Sequence, residues 1–123
     1  MSAGLLGGSI EGPRVRLEVQ SDGEYAVVRV RDGTAIGSLR LAERDGAVYV
    51  ESLCIDKEHR GYGAGTGAAT SLREAVAVAG HWRALQAWAP PEAGLAVYFW
   101  LRMGLRPVAG EGPSGGLLLE REF

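Results

Sequence analysis

Three Asp-Gly dipeptides, Asp22-Gly23, Asp32-Gly33 and Asp45-Gly46, divide the first half of this chain into runs that alternate apolar and polar residues. Both residue types accept the backbone angles of tight hairpin turns, so each dipeptide folds one run back on the next. The runs are RVRLEVQ (Arg14–Gln20), EYAVVRVR (Glu24–Arg31), TAIGSLRLAE (Thr34–Glu43) and AVYVESLCI (Ala47–Ile55). In the first, Val15, Leu17 and Val19 share one face and Arg16 and Glu18 the other, which is the period of a half-buried strand. The spacing predicts a four-stranded antiparallel meander.

After Ile55 the period changes. IDKEHRGYGAGTGAAT sets Gly61, Gly63, Gly65 and Gly67 at alternate positions, and Ala69, Leu72 and Val76 then recur at helical spacing as far as Gly80. This predicts a helix over Thr66–Ala79. Trp82–Ala89 reads as a short apolar strand, and Pro90-Pro91-Glu92 opens a second helix through Leu95, Phe99 and Met103 to Gly104. LRPVA and GLLLEREF, around a loop from Gly110 to Gly116, read as two further strands. The expected order is β-β-β-β-α-β-α-β-β, an α+β fold.

A chain of 123 residues suits one domain, expected over residues 14–123 behind a flexible leader at 1–13. A net charge of −2 offers no field for phosphate backbones, so nucleic acid is not expected as a partner. No run reaches the ~18 apolar residues of a membrane span, and the first residues lack a signal-peptide pattern. No membrane partner is expected. The lone cysteine, Cys54, excludes intramolecular disulfides and lies in an apolar run, which predicts a buried thiol and suits a reducing cytoplasm.

Glycines between a strand and a helix let backbone N–H groups converge on an anion, with the helix dipole adding to the attraction. The same stretch also serves as a tight turn that packs well. A Walker loop is excluded because no Gly-Lys-Ser/Thr follows. A dinucleotide fingerprint needs a parallel βαβ unit with an acid ~20 residues on, and Trp82–Ala89 carries none.

Arg60-Gly61-Tyr62-Gly63-Ala64-Gly65 resembles the Gln/Arg-x-x-Gly-x-Gly/Ala signature of the GNAT superfamily of acetyl-CoA-dependent N-acetyltransferases. VESLCIDKEHRGYGAG looks like that family's strand and pyrophosphate loop, and AVYFWLRMGLRP like its later helix. The resemblance covers about Val48 to Val108 and implies the family's mixed sheet, with a splayed strand pair at the cosubstrate site. It implies acetyl-CoA as cosubstrate, no metal, and an amine acceptor, either a small molecule or a peptide.

Carried over by position, the resemblance implies that the pantetheine arm pairs with the backbone of Leu53, Cys54 and Ile55. The N–H groups of Gly61, Tyr62, Gly63, Ala64, Gly65 and Thr66, with the Arg60 side chain, would hold the pyrophosphate. The Leu53 N–H would polarise the thioester carbonyl, on which negative charge builds as the amine attacks. Glu51 is the candidate base, since it stands two residues before Leu53 and shares its face in a regular strand. Its simpler role is a solvated acid or half of an ion pair. Alternation turns Cys54 to the opposite face, which favours direct attack over a covalent intermediate. His59 is a second candidate base, but beside the glycine loop it reads as a surface or loop residue.

The chain also departs from the family. Trp100 stands where most members place a tyrosine that protonates the departing thiolate, and Ala93 replaces an asparagine that often contacts CoA. Only Ser21-Asp22-Gly23 stands where one or two helices usually help form the acceptor pocket. The acceptor side is therefore expected to be open or completed by another subunit, as in a homodimer. A non-catalytic acyl-CoA-binding sensor or regulatory module is the alternative to an enzyme.

Overall fold

The alternating runs become strands because each has one face to bury and a turn at each end. The computed structural model describes residues 5–90, 94–108 and 115–123. The meander consists of β1 (Val15–Ser21), β2 (Glu24–Arg29), β3 (Ala35–Arg44) and β4 (Ala47–Ile55), followed by a short 3-10 turn at Lys57–His59. Then come α1 (Ala64–Ala79), β5 (Ala84–Ala89), α2 (Gly94–Arg102), β6 (Arg106–Pro107) and β7 (Leu117–Glu122). The strands form a single seven-stranded sheet ordered β1-β2-β3-β4-β5-β7-β6, antiparallel except where β4 meets β5. The expected α+β fold and element order are those of the structure.

The three turns differ in detail. At Asp45-Gly46 both residues have positive φ, 51° and 79°, as a two-residue hairpin loop with right-handed strands requires. At the other two only the glycine does. β2 stops at Arg29, short of the expected Arg31, because the Asp32 carboxylate accepts from Arg29 at 2.8 Å and from the Thr34 N–H at 3.1 Å. Those bonds hold a wider loop.

One sheet face carries the core. Val15, Leu17, Val27, Leu39, Val48, Val50, Leu85 and Leu119 are buried there, beneath Ala64, Ala68, Leu72 and Val76 of α1. The i, i+4 spacing of these helix residues gives a narrow stripe. Two of its members are alanines, so the helix lies close to the strands. Leu105 is fully buried, and Arg73 of α1 donates to the Met103 carbonyl at 2.7 Å, tying the end of α2 to α1.

Part of the expected leader is attached to this body. Leu5, Leu6 and Ile10 pack against the core, Ile10 and Leu17 exchange backbone hydrogen bonds at 2.8 Å, and the Leu6 N–H donates to the Tyr25 hydroxyl at 3.2 Å. Apolar side chains that find cover at a sheet edge are not left loose. α1 begins two residues earlier than expected, at Ala64, because Gly63 takes the left-handed conformation at its N-cap (φ 82°). β5 begins at Ala84, not Trp82. Residues 1–4, 91–93 and 109–114, with the Ala93 departure and most of the Gly110–Gly116 loop, lie outside the described residues.

At Gly37 of β3 the neighbouring strand leaves no room for a side-chain atom. A Cβ there would strike the Cys54 carbonyl and lie 3.0 Å from the Ile55 side chain. Gly37→Ala is expected to destabilise the protein by ~1–3 kcal/mol, the usual cost of forcing extra volume into packed structure. A denaturation midpoint equal to that of the wild type would contradict this.

Candidate active site

The site begins with two parallel strands that stop pairing. β4 and β5 are joined from Ala47↔Ala84 to Val50↔Ala87 and no further. β4 runs on beside β3 to Ile55, and β5 runs on beside β7 to Ala89. A bulge drives them apart: Arg40 pairs with Ser52 but Leu41 with Val50, leaving Glu51 as an extra residue that bends β4.

Hydrogen-bond alternation then decides where the backbone of β4 points. The Asp56 N–H bonds the Ile36 carbonyl at 2.8 Å, and antiparallel rungs alternate between bonded and non-bonded pairs. Gly37↔Ile55 and Leu39↔Leu53 are therefore rungs whose N–H and C=O groups turn away from β3. The Ile55 carbonyl accepts from Arg60 Nε at 2.8 Å, in keeping with that orientation. The Leu53 N–H faces the gap that β5 has vacated.

A cavity of about 290 Å³ fills this gap. Glu51, Leu53 and Ile55 line it from β4, Gly65 from α1, and Phe99 and Trp100 from α2. A Cβ at Gly65 would lie 3.8 Å from the Phe99 ring, so glycine keeps the passage between the two helices wide. Phe99 meets Trp100 edge-on, with ring centroids 4.9 Å apart.

Glu51 and Leu53 thus line one cavity, although the regular-strand premise used to align them fails at the bulge. Glu51 is exposed and, among the described residues, makes no hydrogen bond or ion pair. Its carboxylate is not tied up as half of a structural ion pair. Cys54 is exposed instead of buried, as is its register partner Ser38, so the sheet is uncovered at that rung. Its side chain does not line the cavity.

The glycine loop sits at one end of this cavity. Gly61 and Gly63 have φ of 87° and 82°, and the first turn of α1 has no acidic residue and no side-chain cap. Its N–H groups are therefore open to an external acceptor. Arg60 is less free than expected, because its guanidinium is bonded to the Ile55 carbonyl. The Tyr62 ring is exposed, and its carbonyl accepts from Arg14 at 3.4 Å. Thr66 and Gly63 line a separate groove with Arg14 and Arg102.

Sequence reasoning did not single out Trp88 or Phe99, both of which line the cavity. Trp88 read as one residue of an apolar strand, and only the parting of β5 from β4 gives it an open side. Its indole N–H is held by the Gly115 carbonyl at 2.7 Å. Tyr98 is exposed beneath Arg102, while Trp100 is buried, so the helix register places tryptophan, not tyrosine, toward the cavity.

The family model described as Acetyltransferase (GNAT) family matches residues 8–105. No curated protein matches the sequence. Among solved structures, an acetyltransferase (GNAT family) from Bacillus anthracis superposes with a TM-score of 0.76 at 8% identity, over 93% of this chain and 98% of that one. A putative acetyltransferase from Sphaerobacter thermophilus gives 0.69 at 9% identity, over 97% and 100%. A PaiA N-acetyltransferase from Thermoplasma acidophilum, solved with coenzyme A, gives 0.63 at 15% identity, and the match covers 81% of this chain and 60% of that protein. At these identities the structures speak for the fold.

Proposed function

Because the chain belongs to the GNAT acetyltransferase family, we propose that it is an acyl-CoA-dependent N-acyltransferase that moves acetyl from acetyl-CoA to an amine by direct attack. The observation that carries this reading is the gap between β4 and β5, which leaves the Leu53 N–H facing a cavity lined by Glu51 and opening toward the glycine loop. The N–H groups from Gly61 to Thr66 receive the pyrophosphate, and the backbone of Leu53 to Ile55 receives the pantetheine arm.

The chemistry assigned to each group follows from what it can hold. A protonated amine is no nucleophile, so Glu51 takes its proton, directly or through a water, as the new C–N bond forms. The Leu53 N–H bonds the carbonyl oxygen as it gains charge, and a donor of this kind is worth ~10²–10³ in rate. Breakage of the C–S bond releases CoA as a thiolate. Trp100 supplies no proton to it, since an indole N–H only donates a hydrogen bond.

β1 and β2 are joined across Asp22-Gly23 with no helix between them, which leaves the amine an open approach. A small-molecule or peptide amine is therefore the proposed acceptor. Thiol release from acetyl-CoA, followed over a panel of such amines, tests the reading. Release that saturates with one of them supports it. Tight acetyl-CoA binding with no release for any amine would favour a binding module, the reading that Trp100 in the acid position supports.

Trp100→Tyr restores a hydroxyl at that position and is expected to raise turnover by up to about tenfold, below the full range for an acid because a thiolate already leaves well near neutral pH. Single-turnover rates with and without the substitution measure it. An unchanged or lower rate in a folded variant would show that departure of the thiolate needs no acid here.

A further inference from the structure

The gap between β4 and β5 is a fork with one closed end. Val50↔Ala87 is the last pair, and the next residue on each prong, Glu51 on β4 and Trp88 on β5, lines the cavity. The proposed cosubstrate path runs along β4 from the glycine loop, past Ile55, to the Leu53 N–H. A thioester whose carbonyl is held at Leu53 therefore sends its acyl chain toward the closed end.

Trp88 is the wall that chain meets. Leu85, Ala87 and Ala89 turn into the core, so alternation turns Trp88 to the sheet face away from α1. It lines the cavity because β4 has parted from β5 beside it. Its orientation is fixed from outside: the indole N–H donates to the Gly115 carbonyl at 2.7 Å, the partner that a half-buried indole needs. Gly116 follows with φ of 86°, and a Cβ there would strike the Ala89 carbonyl and come within 2.8 Å of the indole nitrogen. The chain entering β7 thus lies against the edge of the ring and leaves it no room to swing that way. Phe99 and the buried Trp100 wall the cavity on the helix side.

We infer that Trp88, latched by the Gly115 carbonyl, sets the length of the acyl group, admitting acetyl and excluding hexanoyl and longer chains. This rests on the proposed function and adds to it the class of acyl donor. A cavity of about 290 Å³ has to hold the acyl group, the end of the pantetheine arm and the attacking amine. Added methylenes must displace a fixed indole or take the place of the amine beside Glu51, and close-packed side chains yield only at a cost. A misfit of a single methylene in an apolar pocket is worth ~10–200-fold.

The test is a calorimetric titration of the full chain with acetyl-CoA, hexanoyl-CoA and free CoA, for wild type, Trp88→Ala and Trp88→Phe. Wild type is expected to bind acetyl-CoA at least about tenfold more tightly than hexanoyl-CoA. Trp88→Ala removes the wall and is expected to bring the two within about twofold or to reverse their order. Trp88→Phe, smaller and without the N–H, is expected to give a ratio between those of wild type and Trp88→Ala. The ratio is taken within each variant, so a loss of folded protein common to both compounds cancels. Equal binding of acetyl-CoA and hexanoyl-CoA by wild type would overturn this inference alone, as would a wild-type ratio in either variant. Binding of none of the three compounds by wild type would overturn the proposed function and this inference together.

Discussion

Glu51→Gln is expected to lower turnover by ~10²–10⁴-fold, the range for loss of a positioned general base. Acetyl-CoA affinity should not change, because the proposed contacts to the cosubstrate come from backbone groups of Leu53 to Ile55 and of the glycine loop. The amide keeps the size of the side chain but cannot take a proton from the amine. Stability should move by no more than ~0.5 kcal/mol, as for other exposed residues without partners. That expectation rests on Glu51 being exposed and making no ion pair among the described residues. Steady-state rates and a binding titration on the same preparation check both halves. An unchanged rate would remove Glu51 from the mechanism, whereas a loss confined to binding would make it a contact residue.

Trp100→Ala acts on stability instead. The side chain is 6% exposed, packs edge-on against Phe99 and joins the core with Met103 and Leu105. Its own carbonyl accepts from the Met103 N–H at 3.1 Å and the Leu105 N–H at 3.0 Å, so the residue sits where α2 ends and the chain turns inward. Removing the indole is expected to cost ~3–5 kcal/mol, the usual range for truncating a buried aromatic residue. Against a total of ~5–15 kcal/mol for an ordinary domain, much of the stability would go. Denaturant unfolding measures it. A loss under ~1 kcal/mol would mean that α2 collapses onto the space or that Trp100 lines the cavity without supporting the core.

Much of the architecture was legible because local signals agreed with the global fold. The Asp-Gly turns gave the meander, and the change from period 2 to helical spacing placed α1 to within two residues. Glu51 shows where such reading stops. Alternation assigns it a face only in a regular strand, and a bulge is set by the pairing of β4 with β3, which no local pattern in AVYVESLCI records. Cys54 illustrates a second limit, since an apolar run says nothing about whether both faces of a sheet are covered. At Ser38 and Cys54 the second face has no cover, so the thiol is exposed. Leu5 to Ile10 show a third, because a Gly-rich beginning gave no hint that three apolar side chains would find the core.

The glycine loop was visible as a motif, but its surroundings were not. The binding gap depends on β4 and β5 ceasing to pair after Val50↔Ala87, a non-local event. A second cavity, lined by Arg14, Arg31 and His59, gathers residues from before β1, from the loop after β2 and from the turn after β4, and only the folded register brings them together. Arg14 and Arg31 are unremarkable in sequence.

Under the proposed function, the parted strands and the glycine loop form one acyl-CoA site. Calorimetric titration of the purified protein with acetyl-CoA, CoA and NAD tests this. Saturable one-to-one binding of acetyl-CoA and CoA, with none of NAD, is the predicted result. Absence of acetyl-CoA and CoA binding by the folded protein would contradict it and leave the glycines as a turn that only packs the start of α1.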